Sequence, residues 1–243
     1  MSNSRFYIEE SLAVGRTIKL TENAAIHATR VLRLEVSDDI VLFNGDGFDY
    51  ACQLIAVKKS EVLAIVQNQL PLKNESPLNI TLLQGISSGD RMDITIQKAV
   101  ELGVTRIIPI KTSRSVVKLK DDRAEKRLTH WQQVVVAACE QSGRAIVPVV
   151  EAPISLADWL FTHQTSAALR ITLDPLATIQ LKNCPQSESI ELLVGAEGGL
   201  TENEIAISAT HGFAGVKLGG RILRTETAPL AAIAAMQTLW GDF

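Results

Sequence analysis

The chain reads as a small β-rich module followed by an α/β domain with a mostly parallel sheet. Three observations predict this. The first 70 or so residues present short apolar strands between tight polar turns. The stretch "LPLKNESPLN", 70–79, collects two prolines and several polar residues with little periodicity, which marks a boundary. Beyond it, strand-like and helix-like segments alternate to the C-terminus, the pattern of βα units. Domains are therefore expected at 1–72 and 73–243.

In the first part, "TENAAIHATRVLRL" predicts a short helix opened by Thr21, whose hydroxyl can take a free amide of the first turn. "DDIVLFNGDGFDYACQLIAV" predicts two strands joined by Asn44, Gly45, Asp46 and Gly47, residues that tolerate positive φ or cap their own turn. "EVLAIV", 61–66, predicts the next strand, and the module is expected to be barrel-like.

In the second part "ITLLQG" predicts a strand and "DRMDITIQKAVELG" a helix, with Asp90 as its cap and Gly103 as its stop. "VTRIIPI" is strand-like. "RLTHWQQVVVAACEQSGR" predicts a helix despite the weak propensity of Val134–Val136. "IVPVV" predicts an extended segment, "LADWLFTHQ" a short helix and "IELLVG" a strand. "TENEIAISATHG" predicts a helix capped by Thr201, and "AGVKLG" a short strand. The final helix, "APLAAIAAMQTLW", places Thr227 as cap and Pro229 in the first turn, where a missing N–H costs little.

The composition excludes several classes. With 46% hydrophobic and 21% charged residues over 243 positions, the chain suits a folded globular protein. Its net charge of −3 does not advertise a polyanion partner, although a local basic patch suffices to bind RNA. The three cysteines and four histidines lack the spacing of a disulfide framework or a metal motif, so no metal is expected. The opening segment lacks a secretory pattern and no window is long and apolar enough to span a bilayer, so a cytoplasmic, membrane-free protein is expected.

Two glycine corners follow predicted strands, "LLVGAEGGLTENE" and "VKLGGRILRTE". Strand ends of this kind are where open α/β sheets bind ligands. In the first, Gly195, Gly198 and Gly199 let backbone approach a ligand closely, and Glu197 offers a carboxylate; a plain solvent-facing turn is the competing reading. In the second, Arg221, Arg224 and Glu226 precede a helix N-terminus, which suits an anion, although the three could pair among themselves. Dinucleotide, Walker and nucleophile-elbow signatures are missing. Arg30 and Arg33 share one face of the small helix, and Arg5 could join them. Arg91 and Lys98 share a face of the next helix and Arg114 follows a strand, which together sketch a route for a phosphate backbone. His27 is either a half-buried structural histidine or an RNA contact. Arg144 could brace its helix against Glu140 or join the RNA contacts.

These blocks resemble the RsmE family of SPOUT methyltransferases nearly end to end. The resemblance is carried by "HATRVLR" at 27–33, "DRMDITIQKAVELGVTRIIPI" at 90–110 and "SRS" at 113–115, then by "WQQVVVAACEQSGRAIVP" at 131–148, "GAEGGLTENE" at 195–204 and "LGGRILRTETA" at 218–228. It implies a PUA-like β-barrel for RNA, followed by a SPOUT α/β domain with a C-terminal trefoil knot. It also implies S-adenosyl-L-methionine as cofactor and methylation of N3 of a uridine in 16S ribosomal RNA. A homodimer and an assembled small subunit as substrate complete the picture. Under it Gly195, Glu197, Gly198 and Gly199 form the first cofactor loop and Leu218, Gly219, Ile222 and Leu223 the second, with Leu173 and Thr227 beside them. Arg224 is expected to stabilise charge or position RNA, and Glu197 to act as base or cofactor orienter. Two positions depart from the family pattern: Ala196 replaces a usual proline, and Ser88 stands where a basic residue is common. The rival expectation is a non-catalytic RNA-binding assembly factor that keeps the fold.

Overall fold

The structure, a computed structural model, describes residues 4–58, 61–115 and 121–243. The chain forms two compact units, one made of Met1–Glu75 with Cys139–Val147 and the other of Ser76–Ala138 with Pro148–Phe243.

In the first unit, β1 (Ser4–Tyr7), β2 (Thr17–Lys19), β3 (Asp39–Phe43), β4 (Phe48–Lys58) and β5 (Glu61–Pro71) form a five-stranded sheet in the order β1-β3-β4-β5-β2. Alternation sets its core: Tyr50, Cys52 and Leu54 of β4 and Val62, Ala64 and Val66 of β5 point inward with Phe6, Ile18 and Ile40. The turn between β3 and β4 holds itself, since Asn44 and Asp46 accept the backbone N–H groups of Asp46 and Phe48. Thr21 caps α1 (Glu22–Ile26) by accepting the N–H of Ala24, and the helix widens at once into a π turn, His27–Val31.

Residues 139–147 are bound into this unit by polar contacts. Glu140 accepts the N–H of Tyr7 at 3.0 Å, and burial, the dominant effect, pushes its carboxyl up. The Arg144 guanidinium lies 2.6 Å from Glu75, and that of Arg5 lies 2.6 Å from Asp49 and 4.6 Å from the ring centre of Phe43. Arg5 also donates to the carbonyls of Cys139 and Arg144. Both arginines are thus interior residues with internal partners. The sequence expects Arg5 and Arg144 at RNA phosphates; here both guanidiniums are committed to carboxylates, and turning outward would leave those charges unpaired.

The second unit is built on β6 (Asn79–Gly85), β7 (Arg106–Lys111), β8 (Val149–Val150), β9 (Ile154–Ser155), β10 (Leu169–Leu173), β11 (Ile179–Gln180), β12 (Ser189–Val194) and β13 (Ala214–Lys217). The main path runs β11-β13-β10-β12-β6-β7-β8, with β9 beside β7, and all these pairings are parallel. Near-continuous burial along β6, β7 and β12 follows from helices covering a parallel sheet. Those helices are α2 (Asp90–Glu101), α3 (Asp121–Ser142), whose last turn belongs to the first unit, α4 (Leu156–Thr162), α5 (Glu202–Thr210) and α6 (Thr227–Trp240). Two caps differ from expectation. Gly89, at φ 52°, precedes α2, and Glu226 precedes α6, so Asp90 and Thr227 are the first helical residues. Thr201 caps α5 in a full capping box with Glu204.

Strand β10 carries a buried charge. Arg170 donates to Glu191 at 2.6 Å and to the carbonyls of His211 and His163, and its guanidinium lies over the rings of Trp159 and Phe213. Replacing Arg170 with methionine leaves the Glu191 carboxylate without its cation and two carbonyls without their donor. The unfolding free energy in urea is expected to fall by about 3–5 kcal/mol, while Glu191→Gln, which keeps an acceptor, should cost visibly less.

Candidate functional site

The C-terminal ends of β10, β12 and β13 open on a cleft of about 480 Å³. Leu173 ends β10, Gly195 follows β12 and Leu218 follows β13, so three neighbouring strands bring their C-terminal ends to one place. This is the position at which parallel sheets bind ligands.

The first loop, 195–200, is folded back on itself. The N–H of Gly199 donates to the carbonyl of Ala196 at 2.8 Å, and Gly199 takes φ 68°. A Cβ on Gly195 would stand 2.7 Å from the carbonyl carbon of Gly199, so only glycine fits there. Gly198 lies against Arg114, where a Cβ would meet that side chain at 2.9 Å. Arg114 in turn donates to the carbonyls of Gly198 and Leu200. Glu204 reinforces the same corner: one oxygen closes the capping box with Thr201 and the other accepts the N–H of Ser113 at 2.8 Å. Burial pushes its carboxyl upward, but these hydrogen bonds outweigh burial and hold it below the usual glutamate range.

The second loop, 218–224, is tied to the first through Thr225. Its hydroxyl donates to the carbonyl of Gly195 at 2.8 Å and accepts from the amide of Gln84 at 3.2 Å. Gln84 and Thr225 are both buried, and β6 reaches the corner at Gly85, where a Cβ would strike the backbone of Ala196. Thr225 is absent from the sequence-derived site. The motif "RTETA" offers two threonines, and only the fold selects Thr225, which lines the cleft, over Thr227, which does not.

Glu197 projects from the first loop onto the start of α2. One of its oxygens, Oε1, accepts the N–H of Ser88 at 2.8 Å, the hydroxyl of Ser88 at 2.8 Å and Arg91 at 3.1 Å. Desolvation raises the pKa of this carboxyl, but the hydrogen bonds from Ser88 and Arg91 more than offset it, so it lies below the ordinary value. A carboxylate so occupied is a poor proton acceptor and a good anchor.

The remaining candidates separate cleanly. Leu218, Gly219, Ile222, Leu223 and Arg224 line the cleft; Ile222 is 85% exposed and the Arg224 side chain 80% exposed, its nearest carboxylate being Glu226 at 4.0 Å. His27, Arg30 and Arg33 are exposed on the first unit, around the π turn. Arg33 takes φ 55°, and the His27 ring meets Phe6 edge-on at 5.8 Å. Lys98 is paired with Glu101 at 2.7 Å. Among the described residues no group of three His, Cys, Asp or Glu side chains could hold a metal ion.

A family model for an RNA methyltransferase domain matches residues 74–237, and one for an RNA methyltransferase PUA domain matches 20–67. Relatives named ribosomal RNA small subunit methyltransferase E, from Buchnera aphidicola subsp. Acyrthosiphon pisum and Bacillus subtilis, are 33% and 32% identical. The matches cover 98% of this chain in both cases, and 94% and 99% of those proteins. The chain belongs to the ribosomal RNA small subunit methyltransferase E family. Among solved structures, the family member from Neisseria gonorrhoeae, bound to S-adenosyl methionine, is 46% identical, with a TM-score of 0.92 and full coverage of both chains. A putative methyltransferase from Legionella pneumophila in complex with the same cofactor is 34% identical, with a TM-score of 0.95 and again full coverage. The two glycine corners that carry the family resemblance are thus the two walls of one cleft.

Two outcomes are expected of the loop contacts. Thr225→Val removes a buried donor and strands the carbonyl of Gly195, so unfolding should become easier by about 1–3 kcal/mol, while Thr225→Ser should restore most of the loss. The ionised Glu197 is favoured in the folded state, so its contribution to stability is complete at neutral pH. It should fade as pH falls below the usual glutamate value of 4.5 and vanish below the lowered folded-state value. Urea unfolding of the wild type and Glu197→Gln across this range should therefore show a gap at neutral pH that closes in acid.

Proposed function

We propose that this chain is an S-adenosyl-L-methionine-dependent methyltransferase that modifies N3 of a uridine in 16S ribosomal RNA. The observation that carries the reading is the cleft between the two locked glycine loops, in a chain that matches cofactor-bound members of its family along its whole length. The residues present fit such a cofactor. Gly195 and Gly198 let the first loop pack against its own backbone and against Arg114 at the cleft wall, and Leu173, Leu218, Ile222 and Leu223 offer apolar faces to an adenine ring. Gly199 and Gly219 line the same cleft without side chains to obstruct it. Thr227 lies outside this set, and Thr225 takes its place as the side chain that keeps the loops together.

When bound, S-adenosylmethionine supplies a methyl group made electrophilic by its sulfonium. The chain's own share is positioning and charge. Uridine N3 must lose its proton, and the anion that develops spreads onto the uracil carbonyl oxygens. Arg224, charged and largely free at the cleft mouth, is suited to face that charge. Glu197 serves as the orienter of the first loop rather than as the base, because its accepting oxygen is already committed to Ser88 and Arg91.

His27, Arg30 and Arg33 form the part of the first unit best suited to RNA: two arginines and a ring on an exposed π turn. Arg114 is exposed enough to add a contact while it braces the first loop. The reading includes the trefoil knot that the family resemblance implies and a homodimer, for which the exposed Leu239 of α6 offers apolar surface. An assembled small subunit as substrate and a cytoplasmic location follow from a ribosomal target.

The test uses labelled S-adenosylmethionine, the purified protein and small ribosomal subunits lacking the modification, followed by nuclease digestion and mass spectrometry of the nucleosides. Label on N3 of uridine is expected. Arg224→Ala should lower kcat by about 10²–10³ while leaving cofactor affinity close to that of the wild type. Label on another atom, or none from a protein that binds the cofactor, would overturn the reading.

A further inference from the structure

One side chain outside the two loops reaches a carboxylate on the first and another just beyond the end of the second. Arg91, in the first turn of α2, places Nη1 3.1 Å from Oε1 of Glu197 on the first loop. Its Nε lies 3.9 Å from Oε2 of Glu226, which follows the second loop and precedes α6. That Glu226 oxygen is buried and accepts no hydrogen bond, so the Arg91 charge is its close compensation. On the other side of Glu226, Arg224 stands 4.0 Å away and is mostly in solvent. A carboxylate from the first loop and one from the exit of the second therefore face one planar guanidinium, fixed to a helix that belongs to neither loop.

We propose that Arg91 is a positioning residue that clamps the two loops of the cleft against each other, in place of the RNA phosphate contact its helical spacing predicts. The proposal rests on the cofactor reading above. Ser88 sets the geometry: its N–H and hydroxyl hold Glu197 at the head of α2, and that hydroxyl also accepts from Arg91 at 3.1 Å. A serine at this position thus completes the clamp, where a longer basic residue would compete with Arg91 for the same carboxylate. Without Arg91 the two carboxylates repel with only the solvent-exposed Arg224 beside Glu226 to screen them, and the loops are pushed apart. Lysine keeps the charge but not the fork that reaches both partners.

The experiment is calorimetric titration of S-adenosylhomocysteine, which cannot react, into the full chain and its R91Q, R91K, E226Q and R91Q/E226Q variants, with thermal unfolding recorded for each. Because the Arg91 side chain is 45% exposed, a moderate effect is expected: R91Q should weaken binding by about five- to tenfold. R91K should fall between R91Q and the wild type. The double variant should bind more tightly than R91Q, since losing the second carboxylate relieves the repulsion. Steady-state kinetics should show R91Q raising KM for the cofactor more than it lowers kcat.

R91Q binding the ligand as the wild type does, while losing affinity for small subunits, would overturn the clamp in favour of a phosphate contact. A double variant no better than R91Q would also overturn it, because repulsion between the loops is the core of the idea. If R91Q unfolds at the assay temperature, R91K and E226Q carry the test: R91K indistinguishable from the wild type would refute a clamp that needs the guanidinium fork. A wild-type chain that does not bind the ligand would instead fail the cofactor reading itself, and the clamp with it.

Discussion

The hydroxyl of Thr225 donates to the carbonyl of Gly195 and accepts from Gln84, and through these bonds the ends of β6 and β12 and the approach to α6 meet at one buried point. The rest of the cleft depends on it. The first loop can turn back at Gly199 because its start is pinned at Gly195, and the second can remain open and largely solvent-facing because its end is pinned at Thr225. In a dry setting each such bond is costly to leave unmade, so the three groups act as one unit. The glycines follow from the same constraint: where backbone passes backbone at under 3 Å from a would-be Cβ, no other residue is tolerated.

Around that dry centre the outer walls are held by charge. Glu197 is gathered onto α2, Arg114 supports the first loop from the strand β7 side, and Glu204 joins the start of α5 to the turn at Ser113. These carboxylates have their proton affinity lowered because hydrogen bonds more than compensate for partial burial. A site held in this manner keeps its shape through neutral pH without using its own acids as proton acceptors. Arg224, mostly in solvent at the cleft mouth, is then placed to answer charge on a substrate.

Much of this was legible in the chain itself. The alternation of β6, α2, β7, α3, β12, α5, β13 and α6 shows in apolar runs separated by caps and stops, and the glycine corners show because close backbone approach demands a particular residue. Strand β10 is harder to see, since "LRITL" interrupts its apolar pattern with Arg170, whose partners are distant in sequence. The same blindness makes Arg5 and Arg144 look like surface cations: Asp49 and Glu75, which neutralise them, are visible only after folding. Thr225 and Thr227 differ by two positions, and a turn that is not yet helical gives no period by which to choose between them. Ser88, which reads as a lost basic contact, supplies two hydrogen bonds to Glu197 instead.

The first unit is discontinuous, and this has a bearing on how the protein is made. Tyr7, Arg5 and Glu75 find partners in Glu140, in the carbonyls of Cys139 and Arg144 and in the Arg144 side chain. When the first 75 residues leave the ribosome, this unit still lacks the segment Cys139–Val147 that completes it. By the time that segment emerges, β6, α2 and β7 have emerged as well, so the first unit is completed only after much of the second has been synthesised. A fragment cut at its apparent end would leave Glu75 without Arg144, and Arg5 without the two carbonyls it donates to beyond Asp49. A chain meant to hold this unit whole must therefore extend through residue 147.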